Sequence, residues 1–287
     1  MLVRRRGDVM QTKETMMSVK PFAITLDVGT SLANRTGSWR TLKPVYVDRL
    51  PPCNAKCPAG EQCQAWLFHA QSGNYENAWK QIIEDNPFPA VMGRVCYHTC
   101  QGACNRNGID EPVGINAVER FLGDYALEKG WQLPVPAADT GKRILIVGAG
   151  PAGLSAAYQL RRLGHAVHVV ESAEAAGGMM RYGIPKYRLP REVLDQEIAR
   201  ITALGVEFEF GREVKDLNAE MKSAGYDAAF LGAGASLAHR AYIPAGDAAH
   251  ILDAVSVLRS MEAPDQGEDA PVSYTHLRAH ETLRPLV

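Results

Sequence analysis

Apolar residues recur with helical periodicity in the part of the chain that begins near residue 41. The segments GEQCQAWLFHAQSG, NYENAWKQIIEDNP and GINAVERFLGDYALEKG carry them at three- and four-residue steps. This spacing places apolar side chains on one face of a helix, so each segment predicts an amphipathic helix. Pro87 and Pro89 are expected to stop the second helix, and Gly130 is a typical residue just past the end of the third. We therefore expect a helical domain over residues 41–130.

The pattern changes after residues 131–142, a connector that contains Pro and Ala. From residue 143 onward, short apolar runs alternate with helical segments. The runs RILIVGAG, HAVHVVE, VEFEF and YDAAFLGAG predict strands, and PAGLSAAYQLRRLG and PREVLDQEIARITALG predict helices. A βαβ alternation indicates a doubly wound, Rossmann-like parallel sheet. The predicted fold class is thus a helical domain followed by an α/β domain over residues 143–271, incomplete at its C-terminus.

Both ends of the chain differ from these two regions. Residues 1–40 are predicted to be disordered or extended, because they lack a sustained apolar period. Residues 272–282 resemble the translated reading frame of a transposon adapter used in DNA sequencing libraries. We therefore interpret residues 272–287 as a non-native tail and give the His276, His280 and Glu281 cluster no functional weight. The natural protein is expected to continue past residue 271.

Charge and composition narrow the function classes. Among 287 residues, 31 are basic and 32 are acidic, so the net charge of −1 favours neither nucleic acid nor an anionic membrane as a partner. The sequence lacks a secretory signal and an apolar run of the roughly 18 residues that a membrane span needs. We expect a cytoplasmic protein, in which thiols stay reduced.

The six cysteines cluster between residues 53 and 104. In GRVCYHTCQGAC three of them are four positions apart, a spacing that would place them on one face of a helix. A disulfide scaffold would need an oxidising compartment, so metal ligation accounts better for the clustering. One open alternative is a zinc site, for which the candidate ligands are Cys53, Cys57, Cys96, Cys100 and His98.

The segment GAGPAG contains a GxGxxG motif between a predicted strand and a predicted helix, the context in which the motif binds a dinucleotide. The pyrophosphate would lie at the helix N-terminus, and Glu171, 23 residues after Gly148, would accept the ribose hydroxyls. The glycine pair that follows resembles a flavoprotein pattern, which favours FAD over NAD. The candidate cofactor-binding residues are Gly148, Gly150, Pro151, Ala152, Gly153, Glu171, Gly177 and Gly178.

Several motifs occur in a specific order: PPCNAKCPAGEQCQAWL, NPFPAVMGRVCYHTCQGAC, PVGINAVERFLGDYA, GAGPAGLSAAYQL and GGMMRYGIPKYRLP. Over about residues 45 to 260 the series resembles the glutamate synthase small-subunit family. That family includes the electron-input half of dihydropyrimidine dehydrogenase and NADPH:ferredoxin oxidoreductases. The resemblance implies a helical [4Fe–4S] domain, an FAD domain and an inserted NADPH domain. It also implies electron transfer from NADPH through FAD and clusters to a partner.

The resemblance also implies roles for the cysteines. Family members usually hold two clusters and have further cysteines upstream of this point, which this chain lacks. We expect one cluster, bound by Cys57, Cys96, Cys100 and either Cys53 or Cys104. Some relatives use Gln in place of one thiolate at the position of Glu119, so Glu119 is a further, less favoured candidate for a cluster ligand. Cys63 is interpreted as a small core residue.

Three functions compete at this point. The first is an electron-transfer oxidoreductase whose partner is a catalytic large subunit or acceptor domain, with ferredoxin as a further candidate. The second is a zinc-stapled nucleotide-binding adaptor without redox activity. A thioredoxin-reductase-like enzyme ranks last, because the sequence contains no C-x-x-C pair. No second glycine motif for NADPH follows residue 235, so we expect this fragment to be inactive alone and assign no catalytic residue.

Overall fold

The computed structural model describes residues 50–235 and 254–262. The predictions for residues 1–40 and 272–287 lie outside the described residues. The cysteine-bearing region is helical, as predicted, and includes a 3-10 turn at Asn105–Gly108. Its α-helices are α1 (Pro52–Lys56), α2 (Cys63–Gln71), α3 (Tyr75–Ile83), α4 (Pro89–Val95), α5 (Thr99–Gly102) and α6 (Ile115–Glu128).

The following region is an α/β fold, and the predicted fold class is confirmed. Its four strands pair in parallel in the order β3-β2-β1-β4. The strands are β1 (Arg143–Val147), β2 (Ala166–Val170), β3 (Glu207–Glu209) and β4 (Ala228–Leu231). The helices are α7 (Pro151–Arg162), α8 (Met179–Tyr182), α9 (Arg191–Ala203), α10 (Leu217–Ala224) and α11 (Ala254–Ser260).

Strand β1 lies in the interior of the sheet, and its side chains are apolar on both faces. Ile144, Leu145 and Ile146 are all buried, as expected when helices cover a parallel sheet. The helices of the described residues are too short or too polar to cross a membrane.

The connector at residues 131–142 packs against the neighbouring elements. Leu133 is buried in the same core as Trp79 and Tyr158, and the N–H of Ala137 donates to the Arg162 carbonyl at 3.0 Å. Gly164, which has a φ of +85°, lies so close to this segment that a Cβ would be 2.1 Å from the Ala138 carbonyl oxygen. The domain boundary that the sequence predicts here remains a prediction.

As the sequence predicts, α3 ends before Pro87 and Pro89, whereas the expected stripe of three cysteines is corrected. Pro89 does more than follow the predicted helix, because it is the first residue of α4, where proline fits without losing a hydrogen bond. The three cysteines spaced four apart do not form a single helical stripe. α4 ends before Cys96, and His98 has a φ of 56°, which interrupts the helix before α5 begins.

Helices α4 and α6 cross at unusually short range because each has a glycine at the contact. A Cβ built on Gly93 would be 2.4 Å from the Arg120 Cα, and one built on Gly123 would be 2.3 Å from the Ala90 backbone nitrogen. Backbone atoms cannot move aside as a flexible side chain can. This crossing therefore fixes the position of α4, the helix that leads directly to Cys96.

Replacement of Gly123 by alanine should destabilise the fold, since the new methyl group would overlap backbone in a packed core. We expect a loss of about 1–3 kcal/mol in the free energy of unfolding, measured by chemical denaturation. Gly108→Ala is the matched control, because Gly108 is exposed and a Cβ there meets no atom within 4 Å. Equal stability of the two variants would contradict the close crossing.

Candidate functional site

Hydrogen bonds join the short helices near which several of the cysteines lie. The Asn54 side chain of α1 accepts from the N–H of Gln64 at 3.1 Å and donates to the Gln62 side chain at 3.0 Å, which joins α1 to the start of α2. The Thr99 hydroxyl of α5 donates to the Lys56 carbonyl at 2.9 Å. These contacts fix the end of α1 next to Cys57, the start of α2 at Cys63, and the position of α5, which contains Cys100. Cys96 lies just before α5. The grouped thiols are those close enough for their charges to affect one another's pKa: Cys57, Cys63, Cys96 and Cys100.

Cys57 lies in the setting that most favours a thiolate. A hydrogen bond from the Cys63 side chain and backbone N–H groups from residues 59–61 lower its pKa to about 6, although partial burial opposes the shift. The same contact with Cys57, together with burial, raises the pKa of Cys63. Thiolates are the form that binds metal, so Cys57 is well prepared to be a ligand.

Cys96 and Cys100 flank the left-handed residue His98. Burial raises the pKa of the Cys96 thiol and raises that of Cys100 to about 11. Backbone N–H groups partly offset this effect, including that of His98, which donates to the Cys96 sulfur at 3.4 Å. The left-handed turn at His98 thus directs a donor toward a candidate ligand.

Cys53 and Cys104 have other neighbours. The Cys53 thiol donates to the adjacent Asn54 side chain at 3.6 Å. Cys104 lies near Arg106 and Asp110, and backbone N–H groups of Val113 and Arg106 lower its pKa. The sequence left the choice between these two residues open. Cys53 packs, as Cys57 does, against the core that contains Cys63 and Cys100.

A buried polar cluster lies beside the thiols. The Asn86 amide donates at 2.9 Å to both the Glu61 and the Glu119 carboxylate, and all three side chains are buried. Burial, assisted by Cys57, raises the pKa of Glu61 to about 7, and burial raises that of Glu119 well above its ordinary value. Glu119 was a less favoured candidate from the sequence, whereas Glu61 and Asn86 were missed, although both lie in segments that resemble the family, because no spacing linked them to the cysteines.

The thiol environment fits an iron–sulfur cluster. Within the described ranges, no three His, Cys, Asp or Glu side chains converge closely enough to bind one metal ion. A zinc ion needs its four ligands on one atom, so the zinc alternative gains no support. A [4Fe–4S] cluster instead binds each of four thiolates at a different iron, which requires a wider arrangement. His98 Nε2 is buried without a hydrogen-bond partner here, and a cluster sulfur could accept from it.

A buried carboxyl group connects α4 to the α/β region. The Glu197 side chain on α9 is fully buried and accepts from the N–H groups of Ala90 and Val91 at 3.0 and 3.1 Å. These N–H groups lie in the first turn of α4 and have no partner within the helix. Burial raises the pKa of Glu197 to about 8. On the same helix, Arg200 lies over the Trp79 ring at 5.3 Å, so α9 also contacts α3.

The glycine loop after β1 forms a cradle at the N-terminus of α7. A Cβ on Gly153 would be 1.8 Å from the Gly148 carbonyl oxygen, so packing of the protein itself requires glycine there. Gly150 differs, because the nearest atom to its Cβ would be 3.9 Å away and its φ is −77°. The fold alone does not need glycine at 150. The open space in front of its backbone suits a pyrophosphate at the positive end of α7.

The remaining nucleotide-site candidates converge on this loop. The Glu171 carboxylate accepts from the N–H of Ala149 at 2.6 Å and from that of Ala173 at 2.8 Å. Gly177 donates its N–H to the Ala149 carbonyl at 2.8 Å, and a Cβ on Gly178 would be 2.8 Å from the Gly150 Cα. Pro151 and Ala152 begin α7. The structure therefore brings together all eight residues that the sequence selected.

Two arginines after the glycine pair, Arg181 and Arg191, are bound internally, whereas Lys186 and Arg188 are exposed. Arg181 is mostly buried and binds the Asp195 carboxylate and the Ala176 carbonyl. The Arg191 guanidinium donates to the carbonyls of Leu189 at 2.9 Å and Ile184 at 2.8 Å, and pairs with Glu262. These arginines hold the segment in place.

Two parts of the chain match known family models. Residues 48–131 match dihydropyrimidine dehydrogenase domain II, 4Fe-4S cluster, which is the thiol-bearing region. Residues 146–198 match the NAD(P)-binding Rossmann-like domain, which contains the glycine cradle. The two matches agree with the predicted order of an iron–sulfur domain followed by a dinucleotide-binding domain.

Curated relatives show the same resemblance. The beta subunit of NADP(+)-dependent formate dehydrogenase of Moorella thermoacetica is 35% identical over 73% of the chain and 33% of its own length. The small chain of NADPH glutamate synthase of Mycobacterium tuberculosis is 34% identical, over 77% of the chain and 46% of its own length. Subunit PreT of NAD-dependent dihydropyrimidine dehydrogenase of Salmonella typhimurium is 38% identical, over 64% of the chain and 46% of its own length. The chain thus spans less than half the length of these relatives.

Glu197 should make stability depend on pH. Its folded pKa of about 8 exceeds that of an unfolded carboxyl, so between the two values the folded protein keeps a proton that the unfolded chain has lost. The free energy of unfolding should fall as pH rises from about 5 to about 8 and then level off. In Glu197→Gln this slope should shrink. The measurement is denaturation at several pH values, with exposed Glu174→Gln as the control, and an unchanged slope in Glu197→Gln would contradict the assignment.

The two cradle glycines should respond differently to alanine. Gly150→Ala should melt close to the wild-type temperature yet lose bound dinucleotide, because its methyl group fills ligand space only. Gly153→Ala should melt at a lower temperature, because its methyl group overlaps the Gly148 carbonyl. Thermal melting and absorbance of the bound cofactor distinguish the variants. Normal cofactor content in Gly150→Ala would show that the pyrophosphate lies elsewhere.

Proposed function

Because the chain belongs to the family that contains the glutamate synthase small chains and PreT, we propose that the whole protein is an electron-transfer oxidoreductase. It would pass electrons from NADPH through FAD to a [4Fe–4S] cluster and on to a partner. When bound, FAD accepts a two-electron hydride and the cluster carries single electrons. The described residues would supply the cluster site and the first part of the flavin site.

The proposed ligand set begins with three thiolates. Cys57, Cys96 and Cys100 are favoured because they lie close enough for their charges to affect one another's pKa, and because each also has backbone N–H donors, which stabilise sulfur that carries negative charge. Cys53 or Cys104 would complete the set as the resemblance implies, with Glu119 as an oxygen alternative. At the second site Gly150 and the start of α7 would bind the pyrophosphate, and Glu171 would accept the ribose hydroxyls.

The observation that carries the proposal is the direct packing of the helical region, through α3 and α4, on the nucleotide region. The Tyr158 hydroxyl of α7 donates to the Ile83 carbonyl at 2.7 Å, and Gln159 and Arg162 donate to the Glu84 carbonyl. Helix α7 begins at the glycine cradle. Together with the Glu197 contact, these bonds hold the two candidate cofactor sites in one packed unit, as an electron-transfer protein requires.

The proposed partner is a catalytic large subunit or an acceptor domain, with ferredoxin as a further candidate. The names of the relatives support a partner, because they are a beta subunit, a small chain and a subunit of larger enzymes. We place the protein in the cytoplasm, where thiols remain available to iron.

The ligand assignment is tested by single Cys→Ser variants purified without oxygen. Cys57→Ser, Cys96→Ser and Cys100→Ser should each lose most iron and acid-labile sulfide while they keep FAD, because the two cofactors bind different regions. Gly108→Ala provides a control with unchanged metal content. Full iron and sulfide in all three serine variants would contradict the ligand set, and zinc without sulfide in the wild type would contradict the function.

A further inference from the structure

One arginine binds the turns that follow the glycine pair. The Arg191 side chain is only 12% exposed, and its guanidinium donates to four backbone carbonyls, those of Met180, Arg181, Ile184 and Leu189. Helix α8 has only four residues, and its last carbonyls have no partner within the helix. Arg191 therefore supplies the bonds that so short a helix cannot make for itself.

A residue just past α11 completes the environment of this guanidinium. The Glu262 carboxylate accepts from Nε and from Nη2 of Arg191, both at 2.8 Å, a two-point pairing that needs the planar fork of arginine. The Glu262 side chain is 16% exposed, so both charges lie largely out of water and each depends on its partner. Arg259 of α11 also lies over the Tyr182 ring of α8 at 5.3 Å. Residues 254–262 therefore contact α8 both directly and through Arg191.

Helix α8 begins where the chain touches the glycine cradle. Gly178, the residue before α8, has a φ of +50°, and a Cβ there would be 2.8 Å from the Gly150 Cα. Gly150 is the glycine with open space in front of its backbone. A displacement of α8 would carry Gly178 with it, so the shape of the cradle depends on the contacts that hold α8.

Arg191 contributes little to the core of the α/β region. The bonds of its guanidinium are confined to residues 180–189 and Glu262. Helix α9, which begins at Arg191, is anchored instead by Leu194 and Ile201, both fully buried. Loss of the pair should therefore loosen α8 and release residues 254–262 locally, while the parallel sheet stays folded.

We infer that the Arg191–Glu262 pair positions the dinucleotide site, because it holds α8 against the cradle and makes retention of the cofactor depend on the docking of residues 254–262. The inference rests on the proposed function, in which the cradle binds the pyrophosphate of FAD. Arg191 and Glu262 are positioning residues that act through α8 and Gly178 and need not touch the cofactor.

Glu262→Gln tests the pair, because glutamine keeps the size of the side chain but turns an N–H group toward the guanidinium. Glu192→Gln is the matched control, since Glu192 is exposed and adjoins Arg191 in the chain. Each full chain is stripped of flavin, titrated with FAD by fluorescence and followed by hydrogen exchange. Glu262→Gln should bind FAD about tenfold more weakly and exchange faster only in residues 179–190 and 254–262. The control should match wild type in both measurements.

Arg191→Lys is the second variant, because lysine keeps the charge but cannot make the two-point pairing or reach four carbonyls. It should lose FAD affinity to a similar extent. The double variant should bind FAD no more weakly than the weaker single variant, since both changes disrupt the same contact.

Three results would overturn the inference. Wild-type FAD affinity in both variants would show that the cradle does not depend on the pair. Faster exchange throughout the four strands would make the pair a general stabiliser of the fold. A wild-type chain that binds no FAD would refute the proposed function itself, and the titration of the wild type alone reveals that outcome.

Discussion

The hydrogen bonds from the first turn of α4 to the Glu197 carboxylate determine how the thiol-bearing region meets the nucleotide region. α4 is short, begins at a proline and ends next to Cys96, so its own backbone bonds could not hold it in place. Glu197 binds two of its N–H groups, and the glycines at the crossing with α6 allow the backbones to touch. A carboxylate of the α/β region thereby positions a segment that carries a candidate cluster ligand.

A second constraint acts at the nucleotide site. Gly148 and Gly153 are required by contacts within the protein, whereas Gly150 leaves free space at the start of α7. The distinction separates glycines that build the loop from the one that admits a ligand. Because side chains of α7 also donate hydrogen bonds to the carbonyls at the end of α3, the position of the cradle is coupled to that of the helical region. Both candidate sites thus depend on the same packed contacts.

The sequence predicted much of this arrangement because its signals were local. The apolar run of β1 and the GxGxxG motif indicated a strand, a turn and a helix, and helical periodicity indicated α2, α3 and α6. The grouping of the cysteines was harder to predict, because the left-handed residue His98 breaks the stripe that a regular spacing implied. Glu197 and the Glu61–Asn86–Glu119 cluster depend on contacts between distant segments, which no periodicity encodes.

In the proposed protein, one packed unit holds both a cluster and a flavin. The most direct test is a reductive titration of the chain purified without oxygen, followed by absorbance and EPR, with iron, zinc and sulfide measured on the same sample. The account predicts iron with matching sulfide, flavin bands, and a broad visible absorbance that bleaches as a paramagnetic signal of the reduced cluster grows. Stoichiometric zinc without sulfide, or a spectrum with neither flavin nor cluster bands, would contradict it.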